Sequence, residues 1–355
     1  MSEGGLYSLA TKGAKDVIDI ATPRVLDAIR DMGKPAERFM LADMGCADAG
    51  TSLEMIGNAI AEIQTLNPKS QITVVYADQP ANDFNALVDI VHGRTQFDSW
   101  LGRMEGAFSL FSGTSFYLQA VPDGTIDFIF SATAMHWLST KPSDISDHVH
   151  MVGAHGDELT AFSEQASKDW ETILLCRAKE LKVGGKMVLV NFCRDPEGYY
   201  LGNTGGVNMF DNFANNWREF LRQGKITEAE FLAMTLPQYY NTVEEFSQPM
   251  ELKHGAVYQA GLRLDSIETR VVRCPFAEQF KLDGDVEKFA DGLIPTIRSW
   301  NQSIFRAGLD DDRNDDEKNT LIEDYYNTYR RQVIENPSGH GMDYVHAYMT
   351  LSKVD

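Results

Sequence analysis

Short apolar runs separated by helix-length amphipathic stretches fill residues 36–194. The runs lie at residues 38–45, 71–76, 125–130 and 186–192. Each is continuous, without a polar face. Such strands need cover on both sides, so they predict the parallel sheet of an α/β fold. Between them, residues 15–31 carry Val17, Ile18, Ile20, Ala21, Val25, Leu26 and Ile29 at near-helical spacing, with Pro23 predicting a kink or a second start. Residues 51–66 place Leu53, Ile56, Ile60 and Ile63 on one helix face. Residues 158–181 read as a long helix stopped by Val183-Gly184-Gly185.

Beyond residue 194 the texture changes. Residues 195–256 are rich in Asn, Gly, Tyr and Phe, and residues 283–336 are helical and strongly charged. Strand-like stretches recur at 262–272 and 344–351. The expected division is an N-terminal segment (1–35), a core (36–194), a cap insertion (195–256), a core strand (257–274), a mainly helical cap (275–340) and a final core strand (341–355).

Composition narrows the function. Against 32 Lys and Arg stand 52 Asp and Glu, a formal net charge of −20. Such a surface repels phosphate backbones and anionic membranes, which predicts neither nucleic acid nor a membrane as partner. The four cysteines, Cys46, Cys176, Cys193 and Cys274, are too scattered for a disulfide framework or a zinc ribbon. Free thiols point to a reducing compartment, the cytoplasm. The start has no secretory signature, and no apolar run has membrane-spanning length. The acidic run 310–317 lacks the glycine and final glutamate of a calcium loop and reads as solvated. His148, His150 and His155 read as loop histidines, and no metal is expected.

Two acids mark a ligand site. The first strand runs out through Asp43, Gly45, Gly50 and Thr51 into a helix. Two glycines there are too few for a dinucleotide fingerprint, and Asp43 would repel a pyrophosphate. An acid at that place suits a cationic or zwitterionic ligand such as S-adenosyl-L-methionine (SAM). Asp78, at the next strand tip, is placed to accept from ribose hydroxyls.

The stretch Tyr76-Ala77-Asp78-Gln79-Pro80-Ala81-Asn82-Asp83-Phe84-Asn85 resembles the N-D-L-P-x-N-D-F-N segment of the SABATH methyltransferases. These are salicylate- and benzoate-type carboxyl methyltransferases and their caffeine-synthase relatives. Gly113-Thr114-Ser115-Phe116-Tyr117 resembles their G-S-F-Y, and residues 131–139 (SATAMHWLS) their S-S-x-x-x-x-W-L-S. Residues 169–191 resemble D-F-x-x-F-L-x-x-R-x-x-E-L-x-x-G-G-x-M-V-L, and Leu236-Pro237-Gln238-Tyr239-Tyr240 resembles I-P-x-Y. The motifs keep the family's order over nearly the whole chain. The resemblance implies a Rossmann-like class I methyltransferase sheet with a mainly helical cap, SAM as cofactor, and a homodimer.

Carried over by residue, the resemblance gives Asp43 the methionine end of the cofactor and Gly45 its passage. Asp78 and Gln79 take the ribose, and Ser115 and Phe116 the adenine. Ser131 joins this set, as do Tyr7 and Thr11 of an N-terminal lid. Trp137 holds the acceptor carboxylate, with His136, Tyr200 and Phe210 as further acceptor-side residues. A carboxylate ionises near pH 4, so it is already a nucleophile at neutral pH. Alignment and exclusion of water then replace a catalytic dyad. Two departures stand out. The family glutamine that pairs with the tryptophan falls at Ala14, with Lys12 and Lys15 nearby. The family's G-P-N-T is Ala49-Gly50-Thr51-Ser52. The expected reaction is methyl-ester formation on a small carboxylic acid. The alternatives are N- or S-methylation on the same fold, or SAM binding without turnover.

Overall fold

The computed structural model describes residue 8 and residues 11–355. Seven strands form one sheet: β1 (Arg38–Met44), β2 (Gln71–Asp78), β3 (Ala107–Gly113), β4 (Ile126–Ala132), β5 (Leu181–Phe192), β6 (Leu262–Val272) and β7 (Tyr344–Lys353). Their order is β3-β2-β1-β4-β5-β7-β6. The first five are parallel, and β7 runs antiparallel to both β5 and β6. This is the Rossmann-like α/β sheet. Strand order reverses between β1 and β4, which opens a crevice at their C-terminal ends.

Both faces of the sheet are covered. Helices α1 (Lys12–Asp31), α2 (Leu53–Leu66) and α3 (Phe84–Val91) bury Val17, Val25, Ile56, Ile60 and Leu87 with Leu41 and Val74. On the other face α4 (Gly156–Glu180) buries Trp170, Ile173 and Leu174 with Ala42, Ile129 and Met187. Each such side chain contributes about 1.5–3 kcal/mol on burial. Pro23 does not restart α1, which runs as one helix. Pro23 and Asp19 are both exposed, so the carbonyl that the proline leaves unpaired meets solvent.

The described chain departs from the sequence reading at two strands. The first is β3, which the reading left out. It is an edge strand whose Phe108 and Leu110 face outward, so its apolar pattern marks no buried face. The second is β5, which begins at Leu181. Gly184 (φ +82°) lies within it at an irregularity, where pairing jumps from Ile126↔Leu181 to Phe128↔Lys186. The glycine pair shapes a bulge rather than stopping the helix.

Two blocks of helices are inserted between the last strands, and the cap is drawn from them. Between β5 and β6 lie α5 (Met209–Arg222), α6 (Glu228–Ala233), α7 (Val243–Glu251) and α8 (Ala256–Gln259), of which α7 and α8 bury Phe246, Met250 and Val257 with Trp170 and Met187 on the α4 face of the sheet. Between β6 and β7 lie α9 (Pro275–Asp283), α10 (Val286–Ala307) and α11 (Asp315–Glu335). Trp217 of α5 stacks on Tyr325 of α11 with ring centroids 4.1 Å apart. Buried Glu230 accepts from Arg313 Nε (2.5 Å) and from the Asp310 N–H (2.9 Å), which ties the acidic loop to α6. Asn314 and Glu317 form a capping box that starts α11.

Candidate active site

The C-terminal strand tips and the cap enclose a cavity of about 460 Å³, a size ordinary for a small-molecule site. Its floor is the loop after β1. Gly45 has φ +76°, and a Cβ there would lie 2.5 Å from Ala134 Cβ, so the loop approaches the β4 tip only as glycine. Ala47 and Ala49 also take left-handed backbone (φ +50° and +61°). Asn82 Nδ2 donates to Ala47 O at 2.8 Å and fixes the loop from the side, while Asp83 caps α3. The N-D-F segment thus shapes the floor of the cavity.

Two buried carboxylates stand over it. Asp78 accepts from the N–H groups of Ala47 and Gln79, each at 2.8 Å and on separate oxygens. Each oxygen keeps capacity for one hydroxyl, as a ribose diol requires. Asp43 accepts from Ser52 Oγ at 2.6 Å. Burial, with Asp78 adding to it, pushes the Asp43 carboxyl up to about 7. Burial likewise raises Asp78. No Lys or Arg lines the cavity among the described residues. An acid pair desolvated without a cation fits a ligand that brings positive charge.

Gln79, Ser115, Phe116 and Thr11 also line this end, so the structure gathers most of the expected cofactor residues. The loop carrying Ser115 and Phe116 hangs on fully buried Arg177. Its guanidinium donates to Phe116 O (2.8 Å) and Leu118 O (2.9 Å) and pairs with Glu180 (Nε to Oε2, 2.5 Å). These are the arginine and glutamate of the motif at 169–191. Its aspartate, Asp169, accepts from Ser139 N (2.8 Å) and Oγ (2.7 Å). Ser131 is fully buried just behind the lining, its Oγ unpartnered. Tyr7 lies outside the described residues.

The other end is aromatic and neutral. Ala14, Ile18, His136, Trp137, Phe192, Leu201, Gln238, Trp300, Ile304, Met342 and Tyr344 are among its lining. His136 is 5% exposed, and burial pushes its imidazole down to about 3, so it is uncharged at neutral pH. Its ring lies 5.4 Å from that of Trp137. Neither ring's N–H groups have a hydrogen-bond partner among the described residues. The segment is braced by the L-P-Q-Y-Y stretch: Leu138 N donates to Pro237 O (2.8 Å) and Tyr239 N to His136 O (3.0 Å).

Several expected residues lie elsewhere. Phe210 is fully buried against His150 (centroids 3.9 Å) and Tyr200 is hydrogen-bonded to Asn208 (2.8 Å); neither lines the cavity. Lys15 pairs with Asp19 (2.7 Å) and Glu54 (3.0 Å), and Lys12 is exposed, so neither replaces the glutamine missing at Ala14. His148 turns to His150 O and Asp211, and His155 precedes α4 at the surface. Thr133 and Gln238, which lie within the motifs but carry no expected role, and Trp300 and Ile304 of α10 also line the cavity. Thr133 could have been found from its place at a strand tip. Trp300 and Ile304 carry no signal beyond helical spacing.

A family model described as SAM dependent carboxyl methyltransferase matches residues 7–348. The loganic acid O-methyltransferase of Catharanthus roseus is 26% identical over 268 residues, 69% of each chain. The salicylate carboxymethyltransferase of Clarkia breweri is 22% identical, over 97% of this chain and 94% of its own. Among solved structures, a loganic acid methyltransferase with SAH superposes with a TM-score of 0.77 at 21% identity, covering 100% of this chain and 98% of its own. The chain belongs to the SAM-dependent carboxyl methyltransferases, the SABATH family that its motifs resemble.

Proposed function

We propose that the protein forms the methyl ester of a small, largely apolar carboxylic acid. The observation that carries this reading is the division of the cavity. Two acids lie at one end, and two neutral ring systems with unpartnered N–H groups lie at the other, among apolar walls. SAM supplies an electrophilic methyl on a sulfonium. Asp43 takes its ammonium end, Asp78 and Gln79 the ribose, and Ser115 and Phe116 the adenine, with Ser131, Tyr7 and Thr11 around them. Trp137 donates its indole N–H to the acceptor carboxylate, and His136 lies beside it as a neutral imidazole. Neutral donors align the anion without neutralising it, so its oxygen keeps its nucleophilicity. Phe192, Trp300 and Tyr344 exclude water. Tyr200 and Phe210 shape this end from behind its lining. By the same reading the enzyme works in the cytoplasm as a homodimer; light scattering on the purified protein tests the second point.

Incubation with methyl-labelled SAM and a panel of carboxylic acids tests the reading. A base-labile methyl product is expected; none from any acid removes it. Ala14 at the wall favours one other reading, methylation of a nitrogen acceptor, which needs no second anion donor. An alkali-stable product would establish it.

A further inference from the structure

Thr133 follows directly on β4 and lines the cavity. Its φ is +56°. For a β-branched residue this is a steric outlier, and such strain gathers at ligand sites. The conformation is held on two sides. The Thr133 N–H donates to Val190 O at 2.8 Å, and Oγ1 lies 3.0 Å from Nε2 of His346. His346 is fully buried on β7 and stacks on Phe192 with centroids 4.2 Å apart. Its Nδ1 has no partner.

That unpartnered nitrogen sets the direction of the hydrogen bond. Burial, with His136 adding to it, holds the His346 imidazole well below its ordinary range, so the ring is neutral and carries one proton. A proton on Nδ1 would strand an N–H donor in the interior. A proton on Nε2 leaves only a lone pair unpaired, which is the lesser cost. Nε2–H therefore donates to Thr133 Oγ1. The threonine hydrogen then has no acceptor among the described residues and is left for the cavity.

We infer that Thr133 is a further acceptor-binding residue, donating its hydroxyl to the carboxylate oxygen that is not methylated, and that His346 is the positioning residue that frees that hydrogen. The inference rests on the carboxylate reading above. It places at the β4 tip the second donor that Ala14 does not supply. Thr133, His136 and Trp137 then meet the acceptor from one short stretch of chain.

The test uses whichever acid the wild-type enzyme converts, with calorimetry of S-adenosylhomocysteine as a readout of the cofactor end. Thr133→Val should raise the acceptor KM roughly ten- to a hundredfold and leave S-adenosylhomocysteine binding unchanged. Thr133→Ser should stay near wild type. His346→Leu should reproduce part of the loss, and His346→Gln, whose amide N–H can take the place of Nε2–H, should recover it. An unchanged KM in Thr133→Val, or a Thr133→Ser variant as impaired as the valine, would overturn the inference and leave ester formation standing. So would loss of S-adenosylhomocysteine binding in Thr133→Val, which would make the residue a support of the fold. A wild-type enzyme that esterifies no acid removes the carboxylate reading and this inference together.

Discussion

The two ends of the cavity are made by different means. The acid end rests on a loop shape: Gly45, Ala47 and Ala49 take left-handed conformation, and the Ala47 and Gln79 N–H groups hold the Asp78 carboxylate in place. The aromatic end is mostly side chains brought from distant parts of the chain: Trp137 after β4, Gln238, Trp300 of α10 and Tyr344 of β7. Side chains fixed by a loop's backbone shape keep their places when the residues around them change. A surface made of side chains changes with every substitution. One sheet can thus keep its methyl donor while its acceptor varies.

The largest expected effect comes from breaking the support of the cofactor end. Arg177→Ala removes one partner of a fully buried ion pair and should cost about 3–5 kcal/mol of stability, read as the denaturant midpoint. It should also weaken cofactor binding by releasing the loop of Phe116. Intact cofactor affinity would detach that loop from the site. Next, Asp78→Ala should cost about 1.5–3 kcal/mol of S-adenosylhomocysteine affinity by calorimetry with the acceptor KM preserved. Trp137→Phe should do the reverse, raising the acceptor KM roughly tenfold without touching the cofactor. An exchange of these two outcomes would break the division of the cavity. The smallest effect is one of pH. An ammonium group binds best to ionised Asp43, so S-adenosylhomocysteine affinity should fall roughly fivefold from pH 7 to 6. The same raised carboxyl makes the cofactor-free protein lose stability as pH rises from the ordinary carboxylate range up to about 7, and level off above it. Asp43→Asn should abolish both trends.

That Asp43 and Asp78 share one cavity was legible in the sequence because strand tips are. Asp43 and Asp78 follow continuous apolar runs, and the turn chemistry around them is local. The edge strand β3 was not, since Phe108 and Leu110 face outward and give no core signal. The glycine pair at 184–185 misled because a bulge and a helix stop use the same residues. The aromatic end was half legible. Trp137 and His136 lie in a motif and line the cavity, but Tyr200 and Phe210 are aromatics of an irregular block and do not. Which of many aromatics faces a cavity depends on packing between helices far apart in sequence. His346 has no local signature at all; its meaning comes from lying across the sheet from Thr133.

One contact bears on how the enzyme's acceptor range can change. A Cβ on Gly13 of α1 would come 2.3 Å from the Tyr344 ring, so helix and ring touch with nothing between them. The first helix and the rear wall of the site are therefore packed directly on each other. Trimming Tyr344 to admit a bulkier acid would also loosen the helix that carries Ala14 and Ile18. Trp300 and Ile304 line the same chamber from α10, in a separate block of helices. Diversification, natural or in the laboratory, has its freest ground on that side of the chamber.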